Sequence, residues 1–287
     1  MNSANGAAVV VGVDGSEAAT RAVRVAAAEA MRCHRPLRIV HGFIWPLLGV
    51  VVSAPEGAPP GAGLRHQAEQ VVADAITVAE AASSGLRITG EIIDGEAAAV
   101  LLGESPAAAL VVLGDRGLGG FAALVVGSVA TQVASYADCP VLVVRGTVRD
   151  TGPVVVGVDG SPESRAAVEF AAATASSRGA PLRAVHAHRR TGRGRAGDPR
   201  QVLDDTLAGI DERWPDVPVT CEVVDARPVA ALTAVDDAQL LVVGRQGRGE
   251  LSGLLLGSVS QGVLHRAGCP VAVVRAPHAT VGPASDG

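Results

Sequence analysis

VVVGVDGS at Val9–Ser16 recurs letter for letter at Val154–Ser161. Each copy is a short, β-branched apolar run stopped by Asp-Gly-Ser. That reads as a buried strand, a turn, and a serine placed to cap a helix. Three more pairs follow in the same order. GDRGLGGFAALVVGS (Gly114–Ser128) and GRQGRGELSGLLLGS (Gly244–Ser258) both read G-x-x-G, nine residues, then G-S. DCPVLVVR (Asp138–Arg145) pairs with GCPVAVVR (Gly268–Arg275), and RPLRIVH ending at His41 pairs with APLRAVH ending at His186. Four matched blocks in one order mean a duplicated unit.

The repeat sets the domain plan. Asp14 and Asp159 lie 145 residues apart, as do His41 and His186, whereas the glycine loops lie 130 apart. The first half therefore carries about 15 extra residues, placed in the Pro/Gly/Ala-rich stretch WPLLGVVVSAPEGAPPGAG, which reads as a long loop. The expected domains are 1–148 and 153–277, with a tail at 278–287. The joint between them is short, so the halves are expected to pack together.

Within each half, strands alternate with helices. In the first, strands are expected at Ala8–Val13, Leu37–Phe43, Arg87–Ile93, Ala109–Leu113 and Val141–Arg145. The helices fall at Glu17–Arg32, Arg65–Ser84, Ala97–Glu104 and Ser128 to about Tyr136. The second half repeats this, with strands near 154–158, 182–187, 219–224, 240–243 and 271–275. The fold class is α/β: two tandem, open, five-stranded parallel sheets with helices on both faces, in the flavodoxin-like order 3-2-1-4-5. In that order the topological switch lies between strands one and four. Ligands of such sheets bind there, at the carboxyl ends, where Asp14 meets Gly114–Gly117.

Composition narrows the chemistry. The 287 residues carry a net charge of −5, which argues against nucleic acid as the main partner. No apolar run reaches the roughly 18 residues of a membrane helix. The N-terminus lacks the pattern of a signal peptide, so a cytoplasmic location is expected. All 24 basic residues are arginine; without lysine, a Walker loop, a Schiff base and a lysine general base are ruled out. The four cysteines have no metal spacing and read as reduced, buried small residues.

The loop itself fits an anion. Gly114 and Gly117 let backbone amides approach a phosphate, and Gly127-Ser128 opens a helix whose first-turn amides and dipole favour one. Gly119-Gly120 read as crossing residues only, because Glu250 replaces Gly120 in the second copy. A dinucleotide fingerprint fits the first copy but fails in the second. A receiver domain would need lysine, and FMN would need aromatic stacking. Asp14 and Asp159 could accept from ribose hydroxyls, or simply cap the Asp-Gly-Ser turn. His41 and His186 read as core or tautomer-satisfied residues. Arg189, Arg190, Arg193 and Arg195 read as a solvated loop, or else as a phosphate-neutralising cluster.

Taken together, VVVGVDGS, the G-x-x-G-(nine)-G-S loop and CPVLVVR resemble the universal stress protein family across essentially the whole chain, twice. The resemblance implies the tandem, ATP-binding form. By position it implies that Gly12, Val13 and Asp14 line adenosine, that the Gly42 backbone faces adenine, and that Leu113, Gly114, Gly117, Gly127, Ser128, Val129 and Ala130 bind ribose and phosphates. The second set is Gly157, Val158, Asp159, Ala187, Val243, Gly244, Gly247, Gly257, Ser258, Val259 and Ser260. The implied ligand is ATP, with ADP, AMP or cAMP as relatives and Mg2+ as companion. The implied role is stress regulation with little or slow hydrolysis, an unknown protein partner, and homodimers of the tandem chain. Two alternatives stand beside it. One is a nucleotide-independent interaction module. The other is an adenylating enzyme, whose S-G-G-x-D-S loop is absent. One departure is visible: Arg116 precedes the second loop glycine, whereas Gln246 does so in the second half, with Arg245 one place earlier.

Overall fold

The computed structural model describes residues 7–44, 62–118, 126–188, 198–248 and 256–276. The long loop, Gly119-Gly120, the arginine cluster at 189–195 and the C-terminal tail fall outside those residues. The first half runs β1 (Ala8–Gly12), α1 (Glu17–Arg32), β2 (Leu37–Phe43), α2 (Ala62–Ala82), β3 (Ile88–Asp94) and α3 (Ala97–Glu104), then a 3-10 turn at Ser105–Ala107. It closes with β4 (Ala108–Gly114), α4 (Ser128–Tyr136) and β5 (Val141–Val144). The second half runs β6 (Val154–Gly157), α5 (Pro162–Arg178), β7 (Leu182–Ala187), α6 (Pro199–Leu207), α7 (Ile210–Arg213) and β8 (Val219–Val224). It ends with α8 (Pro228–Thr233), β9 (Leu240–Gly244), α9 (Ser258–Arg266) and β10 (Val271–Val274).

Strand order is β3-β2-β1-β4-β5-β10-β9-β6-β7-β8. Each half has the expected 3-2-1-4-5 order, and every pairing within a half is parallel. The expectation of two separate open sheets is corrected by the seam. β5 and β10 pair antiparallel, with Ala272 opposite Leu142, so the halves share one ten-stranded sheet. The reason is the edge-strand problem: two short, wholly apolar edges satisfy their backbone groups on each other. Only β3 and β8, partly exposed and carrying acids such as Glu91 and Glu222, remain as outer edges.

Both faces of the sheet are covered, and each core layer runs through the seam. On one face Leu142, Val144, Ala272 and Val274 join α1 and α5. On the other, Val141, Val143, Val271 and Val273 join α4 and α9. Each buried valine is worth roughly 1.5–3 kcal/mol over exposure. Helix α1 packs closely because its buried face is mostly alanine. Ser16 caps it by accepting from Ala19 N, as Ser161 caps α5 by accepting from Ser164 N.

The second half departs from its copy at one helix. Where α2 is continuous, α6 and α7 are separated at Ala208-Gly209, and Gly209 has φ +80°. That left-handed backbone suits glycine and ends the helical run. A buried seam network also joins the halves. Glu29 Oε1 accepts from Arg32 and from Arg178, both at 2.7 Å. Arg178 donates to Gln239 at 2.9 Å, and Gln239 donates to the Gly152 carbonyl at 2.6 Å.

Candidate functional site

Two clefts lie at the carboxyl ends of the central strands, one per half, of about 380 and 330 Å³. The first is bounded by the ends of β1 and β4, by Gly42 on β2 and by the start of α4; all eleven first-half positions singled out above line it. The eleven second-half positions line the other. The sequence reading missed one wall. Ala97 and Leu101 of α3 close the first cleft, and Pro228 and Leu232 of α8 close the second. The only available signal was weak: both helices are short and apolar, and only Ala99/Ala230 and Leu101/Leu232 repeat between them.

That wall explains two glycines. A Cβ on Gly12 would meet Leu101 Cδ1 and Leu113 Cδ2 at 2.8 Å, and one on Gly42 would meet Ala97 Cα at 2.8 Å. They are small because α3 sits directly against the strands.

The strand ends are tied to the loop by the aspartates. Asp14 Oδ1 accepts from Ser16 N at 3.0 Å, closing the turn, while Oδ2 accepts from Leu118 N at 2.9 Å. Asp159 does the same, with Ser161 N at 2.9 Å and Arg248 N at 2.9 Å. Each carboxylate is thus both turn former and latch for the glycine loop. Each oxygen keeps a further lone pair. The latch requires glycine at its contact point. A Cβ on Gly247 would stand 2.6 Å from Asp159 Oδ2, and one on Gly117 would overlap Asp14 Oδ2.

The histidines buttress the same strand ends. His41 Nδ1 lies 2.8 Å from the Val13 carbonyl, and His186 Nδ1 2.7 Å from that of Val158. A carbonyl can only accept, so Nδ1 carries the proton in both rings.

The helices behind the loops begin differently from α1 and α5. The N-cap of α4 is Gly127 and that of α9 is Gly257, and neither helix has a side-chain cap. Ser128 and Ser258 are the first helical residues rather than caps. First-turn amides of a helix have no partner within it. Here they face a cleft, and the helix dipole adds partial positive charge. Gly127 N itself donates to the Asp115 carbonyl at 2.7 Å, fixing loop to helix.

Charge behind the first loop is mixed. Asp115 is buried, with Arg21 at 3.6 Å and Arg116 at 3.9 Å. Burial lowers the pKa of Arg145 from its ordinary value, and Asp115 opposes that shift. The described residues contain no group of three His, Cys, Asp or Glu side chains able to hold a metal.

The sequence matches the Universal stress protein family over residues 7–145 and again over 151–275. The chain belongs to this family. It is 38% identical to a universal stress protein of Mycolicibacterium smegmatis, covering 96% of this chain and 99% of that one. It is 37% identical to one of Mycobacterium tuberculosis, covering 96% and 97%. The fold is similar to a solved universal stress protein from Archaeoglobus fulgidus, with TM-score 0.71 and 20% identity over 94% of this chain and 96% of that one.

As a tandem universal stress protein, the chain thus places both copies of its repeated motifs on one rim each of a shared sheet. No described helix is long and apolar enough to cross a membrane.

Proposed function

We propose that each half binds an adenine nucleotide, ATP foremost, and that the protein is a cytoplasmic stress-response regulator with little or slow hydrolysis. The observation that carries this is the pair of glycine-capped helix starts, α4 and α9, opening into clefts of about 380 and 330 Å³ whose inner walls are apolar. Val40, Leu101 and Leu113 offer a slot for a flat base beside the Gly42 backbone. The free lone pairs of Asp14 suit ribose hydroxyls. The amides of Ser128, Val129 and Ala130 suit phosphate, as helix N-termini generally do. The second half offers the matching set.

Bound ATP would supply a ligand-dependent state for a partner to read. Magnesium would come in on the phosphates. The chain lacks lysine, and the Asp14 and Asp159 carboxylates already hold backbone amides. Among the described residues lining either cleft there is no carboxylate besides Asp14 and Asp159 to activate water, so turnover is expected to be slow. The test is titration calorimetry of the full chain with ATP, together with mass analysis of nucleotide carried through purification. Two sites per chain are expected. No binding at millimolar ATP would refute the proposal.

A further inference from the structure

The two loops keep both glycines but differ in charge on either side of the second one. Asp115, Arg116 and Leu118 of the first loop stand where Arg245, Gln246 and Arg248 stand in the second. In the first cleft the lining cation, Arg116, is partnered by the buried Asp115. The residue after Gly117 is Leu118, an apolar lip that is 75% exposed.

In the second cleft Arg245 turns away, donating from Nη1 to the Ser135 carbonyl at 3.2 Å across the seam. Its guanidinium feels the charges of Arg275, Glu163 and Asp138. Arg248 instead lines the cleft. Its backbone N–H is latched to Asp159, and its guanidinium lies over Gly160, where a Cβ would meet Nη2 at 2.5 Å. Among the described residues Arg248 forms no ion pair. An exposed arginine held at a cleft mouth by its own backbone is placed to meet an anion.

We propose that the two sites are inequivalent, and that the second selects nucleotides by phosphate number through Arg248. It takes a nucleoside triphosphate in preference to a monophosphate, whereas the first discriminates less. The inference rests on the nucleotide reading above. The helix amides at the back of either cleft serve the first phosphate equally well. Later phosphates extend toward the mouth, where the second cleft offers Arg248 without an ion-pair partner among the described residues, and the first offers Leu118 beside an Arg116 already paired with Asp115. A guanidinium meets phosphate through paired, charge-assisted hydrogen bonds that no apolar side chain replaces.

The test is calorimetric titration of the full chain with AMP and with ATP, for wild type, Arg248→Leu, Arg248→Lys and Leu118→Arg. Wild type should show two ATP sites, one of which weakens about tenfold with AMP, the size expected of one charge-assisted contact on a partly exposed rim. Arg248→Leu should remove that gap by weakening ATP while changing AMP less than about twofold, and Arg248→Lys should keep part of it. Leu118→Arg should create a gap at the other site. The ATP affinity that depends on Arg248 should also fall between about 50 and 300 mM salt. Equal ATP-to-AMP ratios in wild type and Arg248→Leu would overturn the inference while leaving the nucleotide reading intact. Binding of neither nucleotide by wild type would overturn both.

Discussion

Gly247→Ala tests whether the Asp159 latch has the geometry described. The added Cβ would lie 2.6 Å from Asp159 Oδ2, where carbon needs more than 3.0 Å. The carboxylate must swing aside and release Arg248 N, now held at 2.9 Å. A hydrogen bond to a charged group contributes about 1.5–3 kcal/mol, and this solvent-exposed bond belongs at the lower end. Residual crowding adds about 1 kcal/mol. The expected cost is therefore about 2–3 kcal/mol. Asp159→Ala should cost a similar amount, since it loses the same bond and the Ser161 turn bond. The discriminating variant is the double mutant. Without the carboxylate the Cβ has room, so Gly247→Ala should then be nearly free, and the pair should fall short of additivity by about 2 kcal/mol. Equilibrium urea unfolding measures this, with melting shifts of about 2–4 °C per kcal/mol as a parallel readout. Full additivity would refute the reasoning. Gly117 and Asp14 should behave alike, since Leu118 N sits on Asp14 Oδ2 at 2.9 Å.

Three further outcomes are expected. Glu29→Gln leaves Arg178 buried without its anion, and should lower the unfolding free energy by about 3 kcal/mol in urea titrations. Gly127→Ala should barely change the melting temperature, because a Cβ there meets nothing closer than 3.5 Å, yet it should weaken ATP binding in calorimetry by crowding the phosphate approach. Burial pushes the Cys139 and Cys269 thiols up to about 11 from 9.0. The unfolded thiols ionise first, so their stabilising effect is intact below pH 9 and lost as pH rises toward 11, by about 2 kcal/mol each. Urea midpoints should fall across that window, and less so in the Cys139→Ala/Cys269→Ala double variant.

Much of this architecture was legible because it was written twice. Local signals are strong in β1 and α1, where an apolar run meets Asp-Gly-Ser, and α1 has the bounds its sequence predicts, Glu17–Arg32. The seam was not legible. Nothing local in VLVV or VAVV says that these two strands pair with each other antiparallel; that follows from two free apolar edges in one chain. The break at Gly209 was hidden by reading the second half as a copy of the first. The α3 and α8 walls were hidden because their lettering repeats at only two positions, Ala99/Ala230 and Leu101/Leu232.

The repeated aspartate and serine show where sequence and geometry divide the work. From letters alone, Asp14 could be turn former or ligand, and Gly127-Ser128 marked a helix start without saying which residue caps it. The structure makes Asp14 turn former and latch at once, with lone pairs left over. It also puts the cap of α4 at Gly127, which has no side chain to offer. The contrast with α1 is informative, since Ser16 closes that helix internally. A chain able to write a capping serine before α1 and α5 writes glycine before α4 and α9, the two helices that open into clefts. On the nucleotide reading proposed above, the repeated Gly-Ser marks the helix starts that receive phosphate, and capping them with serine at position 127 or 257 should stabilise the helix while weakening phosphate binding.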